Sequence, residues 1–225
     1  MTALKPLLKR LLPAGRRLRR PLFGMFRSVQ LHLDLASETL IWLGLYERET
    51  HRHLQRLASE SASCVDIGAG KGELVCWWLR HFPGQALVAV EPNPVEVDIL
   101  RANITANFPS APAALSIWPG FAGPGAPDRN RSLATLCAGL PDPIFIKIDI
   151  EGAEQALLEN AAEFLAARPC RLLIEVHGVA VEEACLAVLR RSGYRVEIVN
   201  FAWWRPFLRE HRPLAHNRWL IARRP

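Results

Sequence analysis

The spacing of apolar positions changes character along the chain. Leu4, Leu7, Leu8, Leu11 and Leu12 recur at i, i+3, i+4, i+7 and i+8 with Lys5, Lys9 and Arg10 elsewhere on the wheel, which predicts one amphipathic helix ended by Pro13 and Gly15. Residues 37–59 keep a helical period, with a break expected near Gly44. From residue 64 onward, short apolar runs alternate with helical stretches. Strands are predicted at 64–67, 86–90, 113–118, 144–148, 171–176, 195–199 and 218–222. Helices are predicted from the glycines after residue 67 to His81, then at 94–107, 153–166 and 181–191. Residues 119–143 are rich in Gly and Pro and read as a long loop with one short helix at 132–138, and a Trp-rich connector at 201–217 precedes the last strand. Regular alternation of strand and helix makes this an α/β chain: a doubly wound, mainly parallel sheet covered by helices on both faces.

With 225 residues, half of them apolar, one domain with a short appendage is expected. The formal charge of +6 would by habit suggest nucleic acid. Its distribution points elsewhere. Residues 1–33 carry eight basic side chains and no acid, while residues 34–225 hold 20 basic and 22 acidic ones, so the excess lies on a basic N-terminal helical arm (1–33) and the domain proper (34–225) is close to neutral. No nucleic-acid partner is expected. The arm suits either a solvated cap or contact with a membrane surface or acidic partner. An organellar presequence, also Arg-rich and acid-poor, is a third reading. No apolar run approaches the roughly 20 residues that span a bilayer, and no uninterrupted apolar stretch provides a secretory signal. Five cysteines without a C-x-x-C pair fit reduced thiols in the cytoplasm. No zinc ligand set or H-E-x-x-H helix is present, and no metal is assigned.

The segment Asp66-Ile67-Gly68-Ala69-Gly70-Lys71-Gly72-Glu73 stands where a strand turns into a helix, at the sheet edge where doubly wound folds bind ligands. A phosphate-cradling P-loop needs glycine at 65 and Ser or Thr after the lysine, and Val65 and Gly72 exclude it. In a dinucleotide fingerprint the third glycine falls one residue later, and Asp66 would face no pyrophosphate comfortably. An acid there suits the ammonium of an amino-acid-bearing cofactor, which is what S-adenosylmethionine presents. Glu91 ends the next strand in Val90-Glu91-Pro92-Asn93, where a carboxylate can take both ribose hydroxyls; this identifies a ribose and not which nucleotide.

On these residues the chain resembles S-adenosylmethionine-dependent methyltransferases, and further motifs make it similar to the FkbM-type family. The pieces are Gly44-Leu45-Tyr46-Glu47, Val65-Asp66-Ile67-Gly68-Ala69, Val90-Glu91-Pro92-Asn93, Ile146-Lys147-Ile148-Asp149-Ile150-Glu151-Gly152-Ala153-Glu154, Leu173-Ile174-Glu175-Val176-His177 and Ser192-Gly193-Tyr194. The glycine loop would fit any methyltransferase of the fold, whereas the Lys147 to Glu154 segment is the specific one. Gly70-Lys71 departs from the family, which often has asparagine followed by an apolar residue. The resemblance implies a Rossmann-like, seven-stranded sheet with its last strand antiparallel. It implies transfer of a methyl group, typically to a hydroxyl of a sugar, glycan or secondary metabolite.

A methyltransferase site would then draw cofactor contacts from Asp66, Gly68, Ala69, Gly70, Gly72, Glu91, Pro92 and Asn93, with Tyr46 and Glu47 closing over it. An alcohol acceptor must lose a proton, and His177 is the first-choice base because its ordinary pKa suits neutral pH. Asp149 either orients the acceptor or meets the methionine amine, and Glu151 either acts with it or turns the chain into the next helix. Asp149, Glu175 and His177 could also gather round a divalent cation, though their spacing does not demand one. Trp203, Trp204, Phe207 and Trp219 read as core before they read as a sugar platform. The rival classes are an N- or C-directed methyltransferase of the same fold, a nucleotide-binding oxidoreductase, disfavoured by the glycine spacing, and a non-catalytic binding module.

Overall fold

Strand Ser63–Ile67, which feeds the glycine loop, is buried at every position because it lies inside the sheet and is covered on both faces. The computed structural model describes residues 15–110, 112–203, 205 and 217–224. In chain order the strands are β1 (Arg17–Arg19), β2 (Leu31–Leu33), β3 (Ser63–Ile67), β4 (Leu87–Val90), β5 (Leu115–Trp118), β6 (Phe121–Ala122), β7 (Asn130–Arg131), β8 (Ile144–Ile148), β9 (Cys170–His177), β10 (Arg195–Val199) and β11 (Asn217–Arg223). The α-helices are α1 (Thr39–Trp42), α2 (His51–Ser59), α3 (Glu73–His81), α4 (Pro94–Asn107), α5 (Leu133–Leu136), α6 (Glu154–Asn160), α7 (Ala162–Ala167) and α8 (Val179–Arg191).

The main sheet has seven strands in the order β10-β11-β9-β8-β3-β4-β5, and β11 runs antiparallel to both neighbours. The order reverses at β3, between β8 and β4, so the carboxyl ends of β3, β4 and β8 border the crevice where such sheets bind ligands. Alternation along each strand sorts side chains to two layers. Cys64, Phe145, Leu173 and Trp219 face α2 and α3, and Val65, Ile146, Leu172 and Ile174 face the cluster that includes residues of α6 to α8.

Four local features refine or depart from the sequence-based expectation. The break expected near Gly44 divides the helical stretch 37–59 into two short helices, because at Gly44 (φ 68°) the chain turns against Phe23, whose carbonyl oxygen would lie 2.1 Å from any Cβ. Residues 43–50 therefore form turns, which bring Tyr46 and Glu47 to the ligand edge. The helix expected over 153–166 is broken at Ala161. The loop 119–143 carries the parallel pair β6 and β7 as well as α5.

The fourth concerns residues 15–33. They are grouped by charge with the arm, yet they contain the hairpin partners β1 and β2 and place Val29, Leu31 and Leu33 in the core with no exposure. Asn103 and Asn107 of α4 hold the backbone of His32 and Gln30. The amphipathic segment at residues 3–12 lies outside the described residues. Among the described residues no helix is long and apolar enough to cross a membrane.

Candidate active site

The glycine loop is tied to the strands on either side of it. Gly68 and Ala69 donate to the Val90 carbonyl at 2.9 Å each, and Asp149 N donates to Ile67 O at 2.9 Å. Gly68 (φ 81°) presses so closely on the β8 end that a Cβ would lie 1.8 Å from Asp149 O. Gly70 (φ 51°) faces open space instead, with nothing within 4 Å of a Cβ position. Glu91 spans the mouth of the loop: Oε2 accepts from Gly70 N at 2.9 Å and Oε1 from Asn93 N at 2.8 Å. Asn93 caps α4 through Val95 N, so it and exposed Pro92 set the chain direction beside Glu91. Lys71 ion-pairs with Glu38, which also binds Arg16, and lies 3.6 Å from Glu96. The residue that departs from the family pattern thus anchors the loop to the segment before α1.

Register places the charged side chains on one face. Asp66 and Lys147 are direct partners across β3 and β8, and Glu175 lies two residues beyond Leu173, the partner of Lys147, on β9. Asp66 is almost wholly buried, and its Oδ1 has no hydrogen-bond partner among the described residues. Burial pushes its carboxyl up to about 6 against the pull of Lys147. Glu47, buried at a left-handed turn (φ 44°), reaches the same region; its Oε1 is 3.9 Å from Lys147 Nζ and makes no hydrogen bond among the described residues. Burial drives this carboxyl up to about 8. Burial also raises Tyr46, and it raises Asp149, whose Oδ2 sits 3.5 Å from Lys147 Nζ. Burial would lower the Lys147 ammonium, but the Glu47, Asp149, Asp66 and Glu175 carboxylates outweigh it and raise it.

His177 differs from the base expected of it. Its Nδ1 is 2.8 Å from the fully buried Glu154, and its Nε2 faces Glu175 at 3.6 Å and Asp149 at 3.8 Å. Hydrogen bonds to Glu154 and Glu175 hold the ring as imidazolium up to about 10, so at neutral pH it has no lone pair to accept a proton. Burial works against the Glu175 charge, but His177, Lys147 and Asn217 bring its carboxyl down to about 2, and Trp219 Nε1 donates to its other oxygen at 3.1 Å.

Among the described residues, two overlapping groups have donor atoms within 4.8 Å of one another and could hold a cation: Asp149, Glu151 and His177, and Glu47, Asp149 and Glu175. In the second, Lys147 already pairs with two members and both Glu175 oxygens are engaged. Glu151 adopts φ 58° at an exposed turn close to Asp149 and His177.

The expected residues thus assemble in two groups: Asp66, Gly68, Ala69, Gly70 and Glu91 around the loop, and Tyr46, Glu47, Asp149, Glu151 and His177 around the β8 and β9 ends. Gly72 (φ 82°) packs on Leu100 and serves the start of α3. Trp219 is core with no exposure, Trp203 is 81% exposed, and Trp204 and Phe207 lie outside the described residues. Lys147 and Glu154 delimit the family-specific segment, but the sequence assigns neither of them a role in the site. The signal for Lys147 was legible as a charge inside the apolar run Ile144-Phe145-Ile146-Lys147-Ile148; Glu154 reads only as an acid opening a helix.

Residues 120–212 match the Methyltransferase FkbM domain. No curated protein matches the chain. Among solved structures, a methyltransferase FkbM from Methylobacillus flagellatus KT is similar, with 19% identity and a TM-score of 0.56 over 72% of this chain and 44% of that one. The chain therefore spans less than half the length of that relative. M. jannaschii TYW2 in complex with AdoMet is similar over 94% of this chain and 85% of that one, with 16% identity and a TM-score of 0.52. A SAM-dependent O-methyltransferase from Thermotoga maritima is similar over 79% of this chain and 65% of that one, with 14% identity and a TM-score of 0.51.

Proposed function

We propose that this chain, whose residues 120–212 match the Methyltransferase FkbM domain and whose sheet has the Rossmann-like order of the similar solved structures, uses S-adenosylmethionine to O-methylate a hydroxyl of a sugar, glycan or secondary metabolite. The observation that carries the reading is the acid surplus at the glycine loop. Asp66, Glu47, Asp149 and Glu175 converge on Lys147, with His177 facing only Asp149 and Glu175 of the four, and burial without a full complement of cations holds Asp66 and Glu47 above the usual carboxylate range. Such a basin repels a pyrophosphate, which counts against a dinucleotide-dependent oxidoreductase, and welcomes a cationic ligand.

The residues fit the cofactor. Asp66, with its buried unpartnered oxygen, would meet the ammonium; Glu91, released from Gly70 and Asn93, would take the ribose hydroxyls; and the open space at Gly70 lets backbone approach the ligand. When bound, S-adenosylmethionine supplies an electrophilic methyl group on a sulfonium. The protein's part is alignment and proton removal. Asp149, partly exposed between Lys147 and His177, is the group that orients the acceptor hydroxyl and takes its proton. His177, as imidazolium clamped by Glu154, positions Asp149 and offsets its charge. The setting is the cytoplasm, in keeping with five free, buried cysteines.

Labelled methyl transfer to a panel of sugars, glycans and hydroxylated metabolites tests the reading, with the methylated atom identified by NMR. An ether methyl is expected. An N- or C-methyl product would move the assignment to the rival transfer class, and tight cofactor binding without transfer would move it to a binding module. Asp149→Asn should leave cofactor affinity within about two-fold and slow transfer by about a hundred-fold or more.

A further inference from the structure

A cavity of about 450 Å³ lies at the amino edge of the sheet, the edge opposite the glycine loop, lined by Glu60, Pro143, Pro169, Cys170, Arg171, Arg195, Arg223 and Arg224. Its charge is built into the strand register. Arg195 pairs with Arg223 across β10 and β11, and Arg223 with Arg171 across β11 and β9, so three guanidinium groups stand side by side on one face of three adjacent strands. Like charges directly opposite one another destabilise a sheet.

Little on the protein offsets them. Glu60, the one acid in the lining, divides its oxygens between Arg56 and Arg171, at 3.1 and 3.3 Å. Arg224 donates to the Ala166 carbonyl. Arg195 and Arg223 form no ion pair among the described residues. The next acid along that face, Glu197, is turned toward His53 at 3.9 Å. A net charge of +3 is thus gathered in one concavity of a domain that carries −2 over residues 34–225.

We propose that this cavity is an anion site that takes a phosphate or diphosphate group. Arginine suits that chemistry because its planar fork donates paired hydrogen bonds to phosphate oxygens, and three forks at one level present several such pairs to a single group. The row tolerates its own repulsion because the ligand, and not a protein carboxylate, supplies the counter-charge. The site is independent of methyl transfer, since it lies at the far end of the strands from the basin around Asp149.

The test is calorimetric titration of the full chain with inorganic pyrophosphate at low salt, in the wild type and in Arg195→Gln/Arg223→Gln. Wild-type binding and a loss of about ten-fold or more in the double variant are expected. The double variant should unfold at the same temperature as wild type or higher, because it relieves like-charge pairing, and this separates lost binding from lost fold. Flotation with phosphatidic acid vesicles identifies the source of the phosphate. Partition that falls with the two substitutions places it on a lipid headgroup, and unchanged partition alongside lost pyrophosphate binding places it on a soluble ligand. No pyrophosphate binding by the wild type, or equal binding by both proteins, overturns the proposal.

Discussion

Gly68 and Gly70 share a left-handed backbone for different reasons. At Gly68 the second strand leaves no room, with Asp149 O 1.8 Å from a Cβ position; at Gly70 there is open space, and only the φ of 51° opposes a side chain. Gly68→Ala should therefore force β3 and β8 apart and cost about 3 kcal/mol or more by urea denaturation. Gly70→Ala should cost only about 1–2 kcal/mol but weaken cofactor binding, because the added methyl enters the space the ligand needs. Equal stability losses would contradict this division of roles. The glycines, Asp66 and Glu91 were legible in the sequence because their spacing relative to strand ends is itself the signal. The protonation of His177 was not. It depends on Glu154, 23 residues earlier and on another element, which only the packing of α6 beside β9 brings within 2.8 Å.

At the scale of elements, predominantly apolar runs made β3, β8 and β9 readable, and α4 and β10 begin and end where the pattern placed them. Non-local contacts decided the rest. The break expected near Gly44 is fixed by its contact with Phe23, and β2 places Leu31 and Leu33 in the core from within a stretch grouped by charge with the arm. Lys71 shows the same effect on a loop: its ion pairs with Glu38 and Glu96 reach the segment before α1 and α4. Lys71→Gln should speed hydrogen exchange at the amides of residues 70–72 by about ten-fold, with α3 unaffected. Unchanged exchange would show that the glycine backbone bonds alone hold the loop.

For the whole molecule, the +6 that first suggested nucleic acid is carried by residues 1–33, of which 15–33 pack into the fold, while residues 34–225 carry −2. The domain is polarised, with acids buried at the carboxyl edge of the sheet and arginines gathered at the amino edge. The buried charges also set the pH range of stability. His177 ordinarily titrates at 6.5 and is held at about 10 in the fold, so its contribution is complete below pH 6.5 and is lost as pH rises toward 10. Glu47, raised from 4.5 to about 8, adds to the same alkaline loss between those values, whereas Glu175, lowered to about 2, contributes above pH 4.5 and loses that contribution as pH falls toward 2. The melting temperature should fall between pH 6.5 and 10, and fall less steeply in His177→Gln. Identical slopes would mean that the imidazolium does not stabilise the fold.

If the acid-rich edge beside the glycine loop holds S-adenosylmethionine, Asp66 is needed to bind it. Calorimetric titration of the wild type and Asp66→Ala with this cofactor tests this most directly. Micromolar binding by the wild type and a loss of about ten-fold or more in the variant are expected, with the variant's fold intact by circular dichroism. Equal affinity in the two proteins, or no binding by the wild type, would contradict it.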